Sequence, residues 1–161
     1  MIDISRLKSS ELLALHASVG EELRGRGIVR SSNNPVGDLA EYLFCKAFDC
    51  EQAPNSEMSY DARARDGTRY QIKGRRPTKH SKSRQLSILR DLDQAGFEFL
   101  AGVIFNEDYS VFRAAIIPHS TVLPNSRFNA HSNGWVFLLN DATWDWDGVK
   151  DVTDQLRAVK L

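Results

Sequence analysis

Apolar residues recur at helical spacing in two stretches near the start of the chain. A first helix is predicted from residue 9 or 10 to residue 26, with a serine as its N-cap and glycines at its end. Its apolar positions are Leu12, Leu13, Leu15, Val19 and Leu23. A second helix is predicted from near Pro35 to residue 48, because proline favours the first helical position. Its apolar stripe is Leu39, Ala40, Leu43, Phe44 and Ala47.

The second half of the chain carries the pattern of strands. Residues 97–105 are almost continuously apolar, which is typical of a central strand covered on both faces. A polar turn leads to a second strand at 110–117, and residues 135–139 predict a third. A short helix at 118–123, a polar loop at 125–133 and a C-terminal helix at 149–159 complete this half. The C-terminal helix is expected to turn Val152, Leu156 and Val159 inward, whereas residues 84–90 fit either a strand or a helix.

Residues 60–76 read as a β-hairpin, because Asp66-Gly67 lies between two runs of strand-forming residues. A two-residue loop would pair Asp61 with Ile72 and turn the side chains of Gln71 and Lys73 to the opposite face. A three-residue loop, with Gly67 in the left-handed conformation, would instead place Asp61 across from Gln71. The second register is preferred, because it gathers Asp61, Gln71 and Lys73 on one face and gives Gly67 a conformational role.

Length and composition are those of one globular domain over residues 1–161. The chain of 161 residues is 42% hydrophobic, with a mean hydropathy of −0.39. The helix and turn of residues 1–33 precede a core at 34–161. With no apolar run near the roughly 20 residues that span a bilayer, and no signal-like N-terminus, a soluble, cytoplasmic protein without a membrane partner is expected. Cys45 and Cys50 lack zinc-like spacing and are expected to be buried free thiols.

Charge is balanced overall, with 21 basic and 21 acidic residues, but it is unevenly distributed. Residues 63–90 contain ten Lys or Arg against the single acid Asp66, which gives this block +9 and the remainder −9. A basic segment directly after the hairpin suits a polyanion such as nucleic acid, because phosphate contacts supply most sequence-independent affinity. An ordinary solvated face is the alternative explanation.

The order of helix, hairpin and further strands resembles the PD-(D/E)XK, or restriction-endonuclease-like, superfamily. In that family a helix supplies a Glu, a strand an Asp, and the next strand a Glu-x-Lys-like pair. Glu41 matches the helical acid, Asp61 the strand acid, and Gln71-Ile72-Lys73 the final pair, in a Gln-x-Lys variant. The resemblance covers about residues 35–76. It implies an α/β (α+β) fold with a central mixed sheet of about four to five strands flanked by helices.

The resemblance also implies metal-dependent hydrolysis of a phosphodiester bond in nucleic acid, as by a DNA endonuclease. Mg²⁺ or Mn²⁺ would be bound by Asp61, by Glu41 directly or through water, by the Gln71 side-chain oxygen and by the Ile72 carbonyl. Lys73 would orient the attacking water and stabilise the pentacovalent state. Because Gln71 stands where the pattern most often has an acid, weaker metal binding and a single ion are expected. The expected phosphate-binding residues are Arg75, Arg76, Lys79, Lys82 and Arg84.

Two other classes of function remain open from the sequence. One is a nucleic-acid-binding module of the same fold that has lost activity, which Gln71 favours. The other is an interaction protein whose acidic C-terminal half docks a basic partner. DNA and RNA are not distinguished by the sequence, and a homodimer is an open arrangement because symmetric dimers are common among enzymes that cut both strands.

Overall fold

A six-stranded mixed sheet organises the protein, which we describe from a computed structural model over residues 3–54 and 56–161. The helices and strands are, in chain order, α1 Ser9–Gly25, α2 Val36–Phe48, β1 Glu51–Gln52, β2 Ala62–Arg63, β3 Arg69–Arg75, β4 Phe99–Phe105, β5 Val111–Pro118, α3 His119–Val122, β6 Arg127–Asn129, β7 Gly134–Val136, β8 Lys150–Asp151 and α4 Thr153–Arg157. Short 3₁₀ turns lie at Leu92–Gln94, Leu123–Asn125 and Asp141–Asp145. The fold is therefore α+β, with four α-helices in the described ranges.

The strand order in the large sheet is β1-β2-β3-β4-β5-β8. Strands β3 and β4 are parallel, whereas the other neighbouring pairs are antiparallel. The predicted four to five strands thus undercount the six that the structure has. The difference comes from the edges, because β1 and β8 are each two residues long and too short to leave a period-two pattern in the sequence.

Strand β4 is central, as its apolar run predicts, and six of its seven residues are buried. Its side chains alternate between two cores, with Leu100 and Ile104 on one face and Ala101, Val103 and Phe105 on the other. The second face is covered by α2 and α4, whose buried residues include Leu39, Ala40, Leu43, Phe44 and Leu156. The first is covered by the irregular chain around Leu86, Leu89, Leu92, Phe137 and Leu139.

The first helix agrees with its predicted bounds but not with its predicted cap. Its N-cap is Lys8 rather than a serine, and the Lys8 N–H donates to Glu11 Oε2 at 2.7 Å. No residue of α1 is buried, so its apolar positions contribute little to the two cores on either side of the sheet. Helix α2 begins directly after Pro35 as predicted, and four residues of its apolar stripe are buried while Ala47 is half-buried.

Three predictions for the C-terminal half were wrong in detail. The C-terminal helix is α4 alone, because Lys150 and Asp151 pair with β5 instead; Val152 and Leu156 are buried and Val159 is half-buried. The expected loop at 125–133 contains β6, which pairs with β7. The strand expected at 135–139 is regular only over Gly134–Val136.

The ambiguous segment 84–90 is neither a regular strand nor a helix. It runs beside the chain at 135–139 and forms isolated bridges through Gln85 with Leu138 and Leu89 with Trp135. In the described part of the chain, no helix is both long and apolar enough to cross a bilayer.

Candidate functional site

The hairpin between β2 and β3 has the three-residue loop. Ala62 pairs with Tyr70 and Arg63 with Arg69, and the Ala64 N–H donates to the Thr68 carbonyl at 2.8 Å. The loop is therefore residues 65–67, in which Gly67 adopts φ +91°, a left-handed conformation that glycine tolerates best. The three-residue loop of the preferred register is therefore confirmed, and next to it the Asp61 N–H donates to the Tyr70 carbonyl at 2.8 Å while the Asp61 side chain meets that of Gln71.

Two hydrogen-bond donors and one ammonium group, all from β3, converge on one oxygen of Asp61. The Gln71 side-chain amide nitrogen donates to Asp61 Oδ2, and the backbone N–H of Ile72 donates to the same oxygen at 2.7 Å. Lys73 Nζ lies 3.5 Å from it as an ion pair. The side chains of Asp61, Gln71 and Lys73 therefore meet on one face, while the side chain of Ile72 is buried in the core below α2.

The backbone of β3 also turns a carbonyl toward Asp61. The Arg69 carbonyl accepts the Glu98 N–H next to β4, whereas the Tyr70 carbonyl accepts the Asp61 N–H on the side of β2. Because backbone groups alternate in direction along a strand, the Ile72 carbonyl points to the same side as that of Tyr70. The predicted carbonyl ligand therefore lies on the side of Asp61.

Glu41 is brought to this site by close packing of α2 on β3. A Cβ at Gly74 would lie 2.7 Å from the Val36 carbonyl oxygen and 2.9 Å from the Val36 Cγ1, distances that packed atoms do not tolerate. Glycine at position 74 therefore permits α2 to lie directly on the strand that carries Lys73. Glu41 follows Ala40 on the helix, at the border of the sheet.

The carboxylate of Glu41 is largely buried and strongly perturbed. Its side chain is 16% exposed; Oε2 accepts a hydrogen bond from Gln52 Nε2 at 3.1 Å and lies 3.5 Å from an Arg30 guanidinium nitrogen. Burial, as the largest cause, and the negative charge of Asp61 together raise the pKa of Glu41 from 4.5 to about 7, against the opposing effects of Arg30 and Gln52. Glu41 is therefore not an exposed acid that acts only on the helix dipole, which would be the ordinary role of a glutamate near the start of a helix.

Each of the two carboxylates has one oxygen engaged and one available. Asp61 Oδ2 and Glu41 Oε2 receive the donors described above, while Asp61 Oδ1 and Glu41 Oε1 accept no hydrogen bond within residues 3–54 and 56–161. Two carboxylate oxygens and a backbone carbonyl are the hard donors that Mg²⁺ and Mn²⁺ prefer. In the same ranges no three His, Cys, Asp or Glu side chains form a ready-made metal cluster. The donor set fits one hard ion that keeps several waters.

An open cleft of about 450 Å³ adjoins the site. Glu41, Ile72 and Lys73 line it from the site itself, and its other walls come from the start of α2 and from the loop after β3. Arg75 lines it from the last position of β3, and the loop contributes Arg76, Thr78, Ser81 and, farther along, Ser87. The cleft thus presents cationic and hydroxyl side chains beside Glu41, a combination that suits a phosphodiester.

The predicted phosphate-binding arginines are all engaged by the protein. Arg75 donates to the Ser83 carbonyl at 2.9 Å, and Arg76 donates to the Glu107 carbonyl at 2.8 Å while its guanidinium covers the Tyr109 ring at 4.5 Å. Arg84 donates to Asp141 Oδ1 at 2.6 Å. These three side chains therefore stabilise the loop after β3 and the segments that contact it.

The two predicted lysines are placed differently. Lys79 and Lys82 are exposed, and neither side chain forms an ion pair within the described ranges. The backbone of Lys79 is fixed, since its N–H donates to Glu107 Oε1 at 2.6 Å. Ion pairs with outside acids partly neutralise the +9 block: Arg65 with Asp49, Arg69 with Glu98 and Arg84 with Asp141.

Sequence reasoning missed Arg30 and Gln52, which both contact Glu41. Neither belongs to a motif, and Gln52 lies in the two-residue strand β1. An indirect signal was the acid at position 38 in the first turn of α2. Asp38 Oδ2 accepts the backbone N–H groups of Arg30 and Ser31 at 2.9 and 2.8 Å and so fixes the chain that carries Arg30.

The cysteines are free, as expected, and half-buried at the end of α2. Burial raises the pKa of the Cys45 thiol to about 12, so it remains protonated at neutral pH. The reactive groups of the site are therefore oxygen atoms and the Lys73 ammonium, not a thiolate.

In the comparisons with known proteins, no family model and no curated protein matched the chain.

Proposed function

We propose that this protein is a metal-dependent nuclease of the PD-(D/E)XK type, which hydrolyses phosphodiester bonds in DNA. The observation that carries the proposal is the convergence on Asp61 of Gln71, the Ile72 N–H and Lys73, with Glu41 electrostatically coupled to the same carboxylate. Glu41, Asp61 and Lys73 match the motif of that superfamily in order and in type, and Gln71 takes the place of its second strand acid. Their arrangement beside a polar cleft supports a restriction-endonuclease-like core.

The residues divide the chemistry among them. Mg²⁺ or Mn²⁺ at this site would lower the pKa of a water and neutralise charge on the phosphate. Asp61 and Glu41 offer their available oxygens, and the Ile72 carbonyl and the Gln71 amide oxygen complete the protein's share. Gln71 must rotate its amide to do so, because its nitrogen now faces Asp61. Lys73, held by Asp61, would orient the attacking water. The oxygen of that water would form a bond to phosphorus while one of the two ester P–O bonds breaks and its oxygen leaves with the released strand end.

The cleft and the loop after β3 would hold the substrate. Lys79 and Lys82 are exposed and can contact backbone phosphates. The nearby arginines, in contrast, are engaged by the protein. Arg75 and Arg76 still line the cleft and contribute their positive charge there. Such contacts recognise the phosphate backbone and carry no direct sequence information.

The test is cleavage of supercoiled plasmid DNA with Mg²⁺, with Mn²⁺ or with a chelator. Wild type is compared with Asp61→Asn and Lys73→Ala, and with the matched controls Asp147→Ala and Lys160→Ala at exposed positions. We expect metal-dependent nicking that falls at least about 100-fold in the two site variants and is unchanged in the controls. Equal melting temperatures would show that the variants fold.

Absence of cleavage by wild type on plasmid DNA, on single-stranded DNA and on RNA would contradict the proposal. Cleavage that persists in the chelator, or in both site variants, would contradict the assigned residues. Because DNA and RNA share the phosphodiester chemistry, the three substrates also identify the class that is cut.

A nucleic-acid-binding module without activity is the second candidate. It is favoured by the Gln71 amide group, which donates to the oxygen of Asp61 that a third acid would leave free for metal. In that case wild type would bind DNA with strong salt dependence, metal would change little, and Lys73→Ala would leave both properties nearly unchanged.

A further inference from the structure

We infer that Arg30 and Gln52 are positioning residues for Glu41, holding one of its oxygens so that the other faces the metal. This inference rests on the proposed nuclease function. Neither residue lies in the motif, and each comes from a different element: Arg30 from the chain between α1 and α2, and Gln52 from β1. Together they would complete the site from the side opposite β3.

Both side chains act on the same atom. Gln52 Nε2 donates to Glu41 Oε2 at 3.1 Å, and an Arg30 guanidinium nitrogen lies 3.5 Å from that oxygen. Glu41 lines the cleft. With Oε2 engaged on the protein side, Oε1 remains available to the cleft.

Arg30 is itself held rigidly enough to act in this way. Its second guanidinium nitrogen donates to the Ala53 carbonyl at 3.1 Å, and its backbone N–H donates to Asp38 Oδ2 at 2.9 Å. The planar guanidinium therefore bridges the end of β1 and the middle of α2. A bridge of this geometry uses the fixed fork of arginine, which a lysine cannot reproduce.

The physical need for such a clamp follows from the two carboxylates. Asp61 and Glu41 repel each other across a poorly solvated site, and this repulsion favours rotamers of Glu41 that point away. Arg30 and Gln52 counter it with a positive charge and a hydrogen bond. Partners that orient a metal ligand in this way typically change metal affinity or activity by 10- to 100-fold.

The experiment measures Mn²⁺ affinity by isothermal titration calorimetry on the whole protein at pH 8, together with plasmid cleavage. The variants are Arg30→Met, Arg30→Lys and Gln52→Leu, each alone and combined with Glu41→Gln. The control is Arg26→Met, which removes an exposed arginine paired with Glu22 on α1. Thermal melts of the metal-free proteins report folding.

We expect about tenfold weaker Mn²⁺ binding in Arg30→Met and in Gln52→Leu, with Arg30→Lys intermediate and Arg26→Met unchanged. In the Glu41→Gln background the same substitutions should change affinity by less than twofold, because their target is already lost. Equal losses in both backgrounds would show that Arg30 only ties Ala53 to the fold, and would overturn the inference.

The outcome is separable from that of the proposed function. If wild type binds Mn²⁺ and cleaves DNA while the Arg30 and Gln52 variants match it, the inference fails and the nuclease function stands. If wild type neither binds the metal nor cleaves any nucleic acid, both are overturned.

Discussion

Gly74 lies directly beneath Val36, so closely that a Cβ at position 74 would come within 2.7 Å of the Val36 carbonyl oxygen and 2.9 Å of its Cγ1. This contact joins the start of α2 to β3, the two elements that carry Glu41 and Lys73. The spacing between the helical acid and the strand lysine therefore depends on the absence of one side chain.

Gly74→Ala is expected to push α2 away from the sheet. Overpacking of this kind costs about 1–3 kcal/mol of unfolding free energy, and the displaced Glu41 should weaken metal binding as well. Gly37→Ala is the matched control in the same helix, because a Cβ there meets no atom within 4 Å and alanine favours helix. Urea unfolding of the two variants should show a loss for the first and no loss for the second. Equal stability of Gly74→Ala and wild type would mean that the contact between α2 and β3 leaves room for a methyl group.

The hairpin could be predicted from the sequence because its register depends on neighbouring residues alone. Strand parity leaves two registers, and the structure has the preferred one, with a three-residue loop in which Gly67 is left-handed and with Gln71 donating to the Asp61 side chain. The burial of Leu39 and Leu43 follows in the same way from helical spacing. These features need only the residues within one or two elements.

Long-range contacts were outside the reach of the sequence. Arg30 and Gln52 reach Glu41 across 11 positions each along the chain, and no periodicity marks either. The charge run overstated the basic surface for the same reason, since Arg84 is paired with Asp141 from the far end of the chain. Strands of two residues, such as β1 and β8, are defined by their partners rather than by their own pattern.

Gln71→Glu should strengthen metal binding and weaken the metal-free protein. A glutamate would replace the amide donor to Asp61 with a third negative charge beside it, and this repulsion should lower the free energy of unfolding by about 1–2 kcal/mol in chelator. A divalent ion should offset that loss by binding the native state. Calorimetric titration with Mn²⁺ beside thermal melts with and without metal would measure both effects. Equal Mn²⁺ affinity in wild type and variant would refute the expectation that Gln71 weakens the site.

Glu41→Gln should stabilise the protein at high pH. The folded pKa of Glu41 is about 7 against 4.5 for the free group, so the folded state holds its proton more tightly than the unfolded chain. The contribution of Glu41 to the free energy of unfolding of wild type is therefore complete below pH 4.5 and is lost as pH rises toward 7. After allowance for solvent screening, we expect Glu41→Gln to gain about 1–2 kcal/mol at pH 8 and much less at pH 5. Urea unfolding at the two pH values tests this, and a difference from wild type that does not change with pH would contradict it.

In the loop after β3, substitution of an arginine should lower stability, whereas substitution of a lysine should not. Arg76 covers the Tyr109 ring and donates to the Glu107 carbonyl, so Arg76→Ala should lower the free energy of unfolding by about 1–2 kcal/mol. Lys79→Ala and Lys82→Ala remove exposed ammonium groups and should leave stability within about 0.5 kcal/mol of wild type.

The same lysine variants should lose affinity for DNA through electrostatics. Each substitution should reduce the slope of log affinity against log salt by about one, since one phosphate contact is lost. Fluorescence anisotropy of a labelled duplex over a series of salt concentrations, in chelator to prevent cleavage, measures this slope. Lys160→Ala, at an exposed position near the C-terminus, is the control. A slope that stays at the wild-type value in Lys79→Ala and Lys82→Ala together would place the phosphate contacts elsewhere, with the cleft-lining Arg75 as the next residue to test.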